Sequence, residues 1–215
     1  MRNTIIAGAL MVGIAATSPL LAQTNADDPT QLRQKVRQLE QQIKELEQEL
    51  KPLRAQQARE SRQRALRERF ENRVAQDKQK YTEEQLVEAE NLYASIGRKW
   101  NSPQATEIYQ TMLRKYPDVN RMGCAALDLG DWAKAPSADE RQEYLKDCIE
   151  KYGDCFYGDG VQVGAYARFV MAQDYRSKGE EQKAEALFDE IRTKYASAID
   201  HHGDLLVDRI KANAQ

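Results

Sequence analysis

Residues 29–53, PTQLRQKVRQLEQQIKELEQELKPL, carry the pattern on which the fold turns. Leu32, Val36, Leu39, Ile43, Leu46, Leu50 and Leu53 recur at alternating steps of four and three, the heptad spacing that lays a narrow apolar seam along one α-helix. A solitary helix gains little by burying so narrow a seam, so partner helices are expected to cover it. With Leu32 at d, the a positions are Val36, Ile43 and Leu50 and every d position is leucine. That combination favours a parallel homodimer, with a trimer second. Lys35 at g then reaches Glu40 at e of the neighbouring helix, an exposed contact worth about 0.5 kcal/mol or less that sets register rather than stability. The competing arrangement folds this helix back on the chain's own body.

Upstream, Asp28-Pro29-Thr30 supplies a capping residue and a proline suited to the first helical position, so the helix is expected to start here. Before it, Met-Arg-Asn-Thr leads into an apolar run, Ile5 to Ala16, too short to span a bilayer comfortably and followed by Ser18-Pro19-Leu20-Leu21-Ala22. Residues 1–22 are expected to be a secretory signal peptide, cleaved near Ala22, with a periplasmic or secreted product. No cysteine follows the cleavage point, so no lipid anchor is expected.

Downstream, Pro52 removes an intrahelical hydrogen bond and crowds the preceding turn, which predicts a kink or break. Helix-forming residues continue through 54–80, where only Leu66, Phe70 and Val74 keep an apolar spacing. Seven arginines between Arg54 and Val74 face three glutamates, which reads as a basic, mostly solvated linker helix with an anionic membrane or wall surface as a second expectation. Over residues 29–80 fourteen Lys and Arg meet eight Asp and Glu, a balance of +6. Residues 81–215 hold seventeen against twenty-four, a balance of −7. The overall charge of −2 therefore hides two modules of opposite sign. Nucleic acid is not an expected partner of an exported chain.

Residues 81–215 contain a recurring helix end: Met-Leu-Arg-Lys-Tyr-Pro at 112–117, Cys-Ile-Glu-Lys-Tyr-Gly at 148–153 and Ile-Arg-Thr-Lys-Tyr-Ala at 191–196. Repeats of this length mark helical hairpins that cannot bury an apolar face singly and must stack. The last unit places Ala172, Tyr175, Gly179, Ala184, Phe188 and Ala196 at the positions of a tetratricopeptide-like repeat. The first fits with Leu92, Ala105, Tyr109 and Pro117, with Trp100 where glycine is usual, and the second, around Leu127 to Tyr152, is degenerate. Residues 204–212 are expected to cap the stack. The fold class is all-α: a coiled-coil helix followed by a tetratricopeptide-like solenoid of three hairpins and a capping helix.

Signal peptide, heptads, basic linker and repeat helices ending in Lys-Tyr together resemble the YbgF/CpoB-type periplasmic proteins associated with the Tol-Pal envelope system. The chain departs from that pattern at Gly153 and Ala196, where prolines are expected, and in its cysteines. The resemblance implies a non-enzymatic scaffold or adaptor that oligomerises, binds a protein partner and serves envelope organisation or division. A spacer that touches membrane or wall through its basic helix is the second reading.

Solenoids of this kind bind partners on the faces of their first helices, which singles out Glu90, Ala94, Arg98, Tyr166, Gln173 and Arg176. A second candidate is a junction of Tyr157, Asp159, Asp200 and His201, because a hairpin turning near Gly179 carries residue 201 back opposite residue 158. Asp159 is also expected to cap the following helix. The chain's two histidines, His201 and His202, beside Asp159, Asp200 and Asp204 raise the question of a metal-dependent enzyme as a third reading. Adjacent helical histidines do not easily share an ion, and no nucleophile elbow, phosphate loop or metal signature appears elsewhere. No metal, no cofactor and no catalysis are therefore expected. Cys124, Cys148 and Cys155 in an exported chain predict one disulfide and one free thiol, the pairing left open; the alternative is three small core residues.

Overall fold

The computed structural model describes residues 29–131 and 138–212; the expected signal segment 1–22 lies outside them. Among the described residues the chain is all-helical: α1 (Pro29–Lys80), α2 (Glu83–Ile96), α3 (Pro103–Lys115), α4 (Asn120–Asp131), α5 (Ala138–Glu150), α6 (Val163–Ser177), α7 (Glu181–Lys194) and α8 (Leu206–Ala212). None of these helices is long and apolar enough to cross a membrane. The chain divides into two compact units, residues 1–50 and 51–215.

In the first unit every described residue is exposed, and the heptad side chains from Leu32 to Leu50 are 41–56% accessible. Of the kink or break expected at Pro52, the break does not occur, and the helix runs through that position. Proline costs one hydrogen bond and some crowding, but its flanks are rich in Glu, Gln, Lys, Leu and Ala, the residues that lose least in a helix.

In the second unit α2 packs on α3 and α4, α4 on α5 and α6, α6 on α7, and α7 on α8. Local chemistry fixes the starts of the first pair. Thr82 and Gln85 close a reciprocal capping box at α2. Ser102 caps α3 with Pro103 at its first turn. The recurring Lys-Tyr steps lie at the ends of α3, α5 and α7, where each tyrosine does a different task. Tyr116 donates to Glu88 at 2.6 Å, Tyr152 is buried, and Tyr195 lies under the Arg168 guanidinium. Gly164 lets the start of α6 press against the chain after α5, since a Cβ there would meet the Gly153 Cα at 2.6 Å.

The stretch 54–80, expected as a mostly solvated linker, is exposed along most of its length but buries a stripe that includes Leu66 and Asp77. Leu66 is 3% exposed and packs with Phe156, Val161 and Ile199, while Phe70 adds to the same cluster. Gly160, at φ +96°, brings its backbone so close that a Cβ would sit 2.8 Å from the Leu66 Cβ. Asp77, 4% exposed, ties the helix end to the start of α4. Its carboxylate pairs with Arg73 and accepts the Asn120 amide at 2.8 Å. The Asn120 side chain in turn donates to the Phe156 carbonyl and accepts the Phe156 amide, both at 2.7 Å. This clamp satisfies buried polar groups from three segments at once, which is what makes their burial tolerable.

The cysteine arithmetic is also corrected: Cys124, Cys148 and Cys155 are all free and buried. Cys124 and Cys148 direct their thiols at the carbonyls of Phe156 and Gly123, at 3.5 and 3.9 Å. Burial pushes each thiol above its ordinary range, Cys155 up to about 12, so no thiolate is at hand for exchange. The close fit around Gly123, whose Cβ would meet the Cys155 Cβ at 2.6 Å, shows these residues filling a small-residue core. A colorimetric thiol reagent should therefore find no fast-reacting group in the native protein, and all three after denaturation without reductant.

Candidate functional site

Two tight loops build one wall of the site in the same way. An isolated bridge between Phe156 and Gln162 pinches the α5–α6 connection, and one between Ile199 and Leu205 pinches the α7–α8 connection. In the second loop Asp200, 4% exposed, accepts the amides of His202 and Asp204 at 2.9 and 3.0 Å and the Arg209 guanidinium at 2.6 Å. Asp200 thus anchors the loop from within. In the first loop Asp159 accepts the Val161 amide at 3.2 Å and so caps a turn. It does not cap α6, whose first position follows Gln162 with no side-chain cap.

The loops place His201 Nδ1 2.8 Å from Asp159 Oδ2. The imidazole also lies edge-on to the rings of Tyr157 and Tyr166, at 4.9 and 5.4 Å. Both ionisations respond. The hydrogen bond to Asp159 raises the His201 pKa against the opposing effect of burial. Burial pushes Asp159 up, but the hydrogen bonds from His201 and the Val161 amide outweigh it and hold the carboxylate below its usual range. The histidine's contribution to stability is therefore complete below the ordinary imidazole value and is lost as pH rises through the raised one. That of Asp159 is present above the ordinary carboxylate value and lost as pH falls through the lowered one. Denaturation midpoints should show the native chain losing its advantage over His201→Gln as pH rises above the ordinary imidazole value of about 6.5.

Next to this pair lies a pocket of about 480 Å³, lined by Tyr93, Gly97, Arg98, Trp100, Asp128, Tyr157 and His201. Its floor is Asp128, 7% exposed, which accepts the hydroxyls of Tyr93 and Tyr157, each at 2.7 Å. The Cys124 carbonyl, 3.0 Å away, competes for the single Tyr157 hydroxyl hydrogen. Burial raises the pKa of Asp128, and the two hydroxyls pull against it. Trp100 rests on the Tyr93 ring at 5.3 Å, and the Arg121 guanidinium stands 4.6 Å from that ring's centroid.

The structure brings together Arg98, expected on a partner-binding face, with Tyr157 and His201 of the expected junction. It also sets Asp159 and Tyr166 against His201, and separates Glu90, Gln173 and Arg176 from them. Glu90 holds Arg121 through two hydrogen bonds at 2.6 and 2.9 Å. Tyr166 packs against His201 and Phe169. Gln173 is half-buried on α6. Arg176 pairs with Glu185 and stacks over Phe188, so it fastens α6 to α7. Tyr93 and Asp128 were not singled out in the sequence, and Trp100 was noted only as a repeat position. Asp128 had a visible signal, a lone carboxylate in the apolar run Cys-Ala-Ala-Leu-Asp-Leu.

Among the described residues no group of three or more His, Cys, Asp or Glu side chains is placed to hold a metal ion. No family model, curated protein or solved structure matches the chain.

Proposed function

We propose that this protein is a non-enzymatic exported scaffold that self-associates through a coiled coil at residues 29–53 and offers its pocket to a partner from a tetratricopeptide-like helical domain. The observation that carries the reading is the seam itself: seven apolar side chains, Leu32 to Leu53, stand 41–60% exposed in strict heptad register. Apolar groups in that register are stabilised when a second copy covers them. Glu49 at g facing Arg54 at e adds a second interchain pair of the Lys35–Glu40 kind. Self-association multiplies the pocket, so weak contacts act together on one multivalent partner. The proposed setting is the cell envelope, in keeping with the resemblance to the YbgF/CpoB-type proteins.

Sedimentation of the chain processed at Ala22 should give a dimer, and a chain beginning at Lys51 should be a folded monomer. A processed chain that stays monomeric at high concentration refutes the reading. In the alternative, a spacer, the basic face of α1 touches an anionic surface. The observation favouring it is that Arg54, Arg64, Arg67 and Arg69 are exposed on that helix.

A further inference from the structure

Asp128 is a buried carboxylate at the floor of an open pocket, and among the described residues no Lys, Arg or His stands within ion-pair distance of it. Buried carboxylates are ordinarily matched by a cation, because the protein interior does not solvate a lone charge. The two tyrosine hydroxyls occupy two of its roughly four acceptor positions. Acceptor capacity therefore remains on a carboxylate that lines the pocket.

The walls have the same preference. Tyr93, Trp100 and Tyr157 surround the carboxylate, and their ring faces carry negative quadrupoles that attract cations. Tyr93 already shows this property toward Arg121 on one side. Of the pocket's own positive groups, His201 acts on Asp128 through space without a direct ion pair, and Arg98 is not among the groups that shift it. Arg98 is exposed, where water screens its charge, and His201 is engaged by Asp159 at 2.8 Å. We infer that this pocket binds an organic ammonium group, with its charge against Asp128 and its carbon atoms against Tyr93, Trp100 and Tyr157. The inference rests on taking the pocket as the scaffold's recognition site. The ammonium comes from a small quaternary compound or from a lysine side chain of a protein partner.

Calorimetric titration of the full processed chain separates these sources, with choline as one probe and Nα-acetyl-lysine-methylamide as the other. The indole N–H resonance of Trp100, assigned by its loss in Trp100→Phe, reports where each binds. Choline alone shifting that resonance assigns a small quaternary ligand; the lysine derivative binding as well assigns a protein side chain. Choline should bind at least about tenfold more tightly than 3,3-dimethyl-1-butanol, which has its shape without its charge. Asp128→Asn, checked for an unchanged circular-dichroism spectrum, should lose at least about tenfold in choline affinity. Equal binding of the neutral alcohol, no response to either cation, or preference for 3,3-dimethylbutyrate overturns the assignment. The last result would give the pocket to Arg98 and His201 as an anion site. A dimer that ignores both ammonium probes retires the ligand class alone, whereas a monomer that binds choline retires the scaffold and leaves the pocket.

Discussion

Replacing Leu39 and Ile43 together by lysine should turn the proposed dimer of the chain beginning at Gln23 into a monomer at every concentration reachable by sedimentation. Each side chain, when covered at a d or a position, contributes about 1.5–3 kcal/mol of burial. Two positions in each of two chains therefore remove on the order of 6 kcal/mol, about four powers of ten in the dissociation constant. The lysines add repulsion across the seam. Both residues are more than half exposed in the isolated chain, at 53% and 56%, and both lie outside the second unit. Its thermal midpoint should stay where it was. Helicity of residues 29–50 should fall with the dimer, because an isolated helix of that length is marginal in water. The same two charges placed at Gln34 and Gln48, which face away from the seam, should leave association intact. If they dissociate the dimer equally, net charge and not the seam controls assembly.

How much of this was legible in the sequence depends on the distance over which each feature is determined. The heptads and the helix ends at Lys115, Glu150 and Lys194 are local, and spacing alone marks them. Pro52 does not end the helix because the helix-favouring residues on both sides outweigh its one lost hydrogen bond. The spacing of Leu66, Phe70 and Val74 was plain, but what covers Leu66 comes from two loops some ninety and one hundred and thirty positions away. No periodicity connects them. The pocket failed to emerge for the same reason: Tyr93, Asp128, Tyr157 and His201 come from four segments, each unremarkable by itself. Arg98 and His201 were singled out by separate arguments, and only the packing of α2, α4 and the two loops makes them neighbours. For the cysteines, compartment suggested a disulfide, whereas the small residues around Gly123 made them part of a close-packed core.

Leu66→Ala carries the largest expected loss in the second unit and decides whether the basic half of α1 is a linker or a structural element. The side chain is 3% exposed against Phe156, Val161 and Ile199, and truncating a buried leucine costs about 2–5 kcal/mol through lost transfer energy and the cavity left behind. A loss near 3 kcal/mol lowers the melting midpoint of a unit this size by about 6–12 °C. Collapse around the cavity is restricted on one side, because the Gly160 backbone is already in close contact there. Arg67→Ala, one position on and exposed, should change stability by no more than about 0.5 kcal/mol. Sedimentation of Leu66→Ala below its melting point should still give a dimer, since the seam lies elsewhere on the helix. A neutral Leu66→Ala would mean that the cluster with Phe156, Val161 and Ile199 does not form in solution. The basic stretch would then be a solvated linker, and a chain beginning at Thr82 would fold as well as one beginning at Lys51.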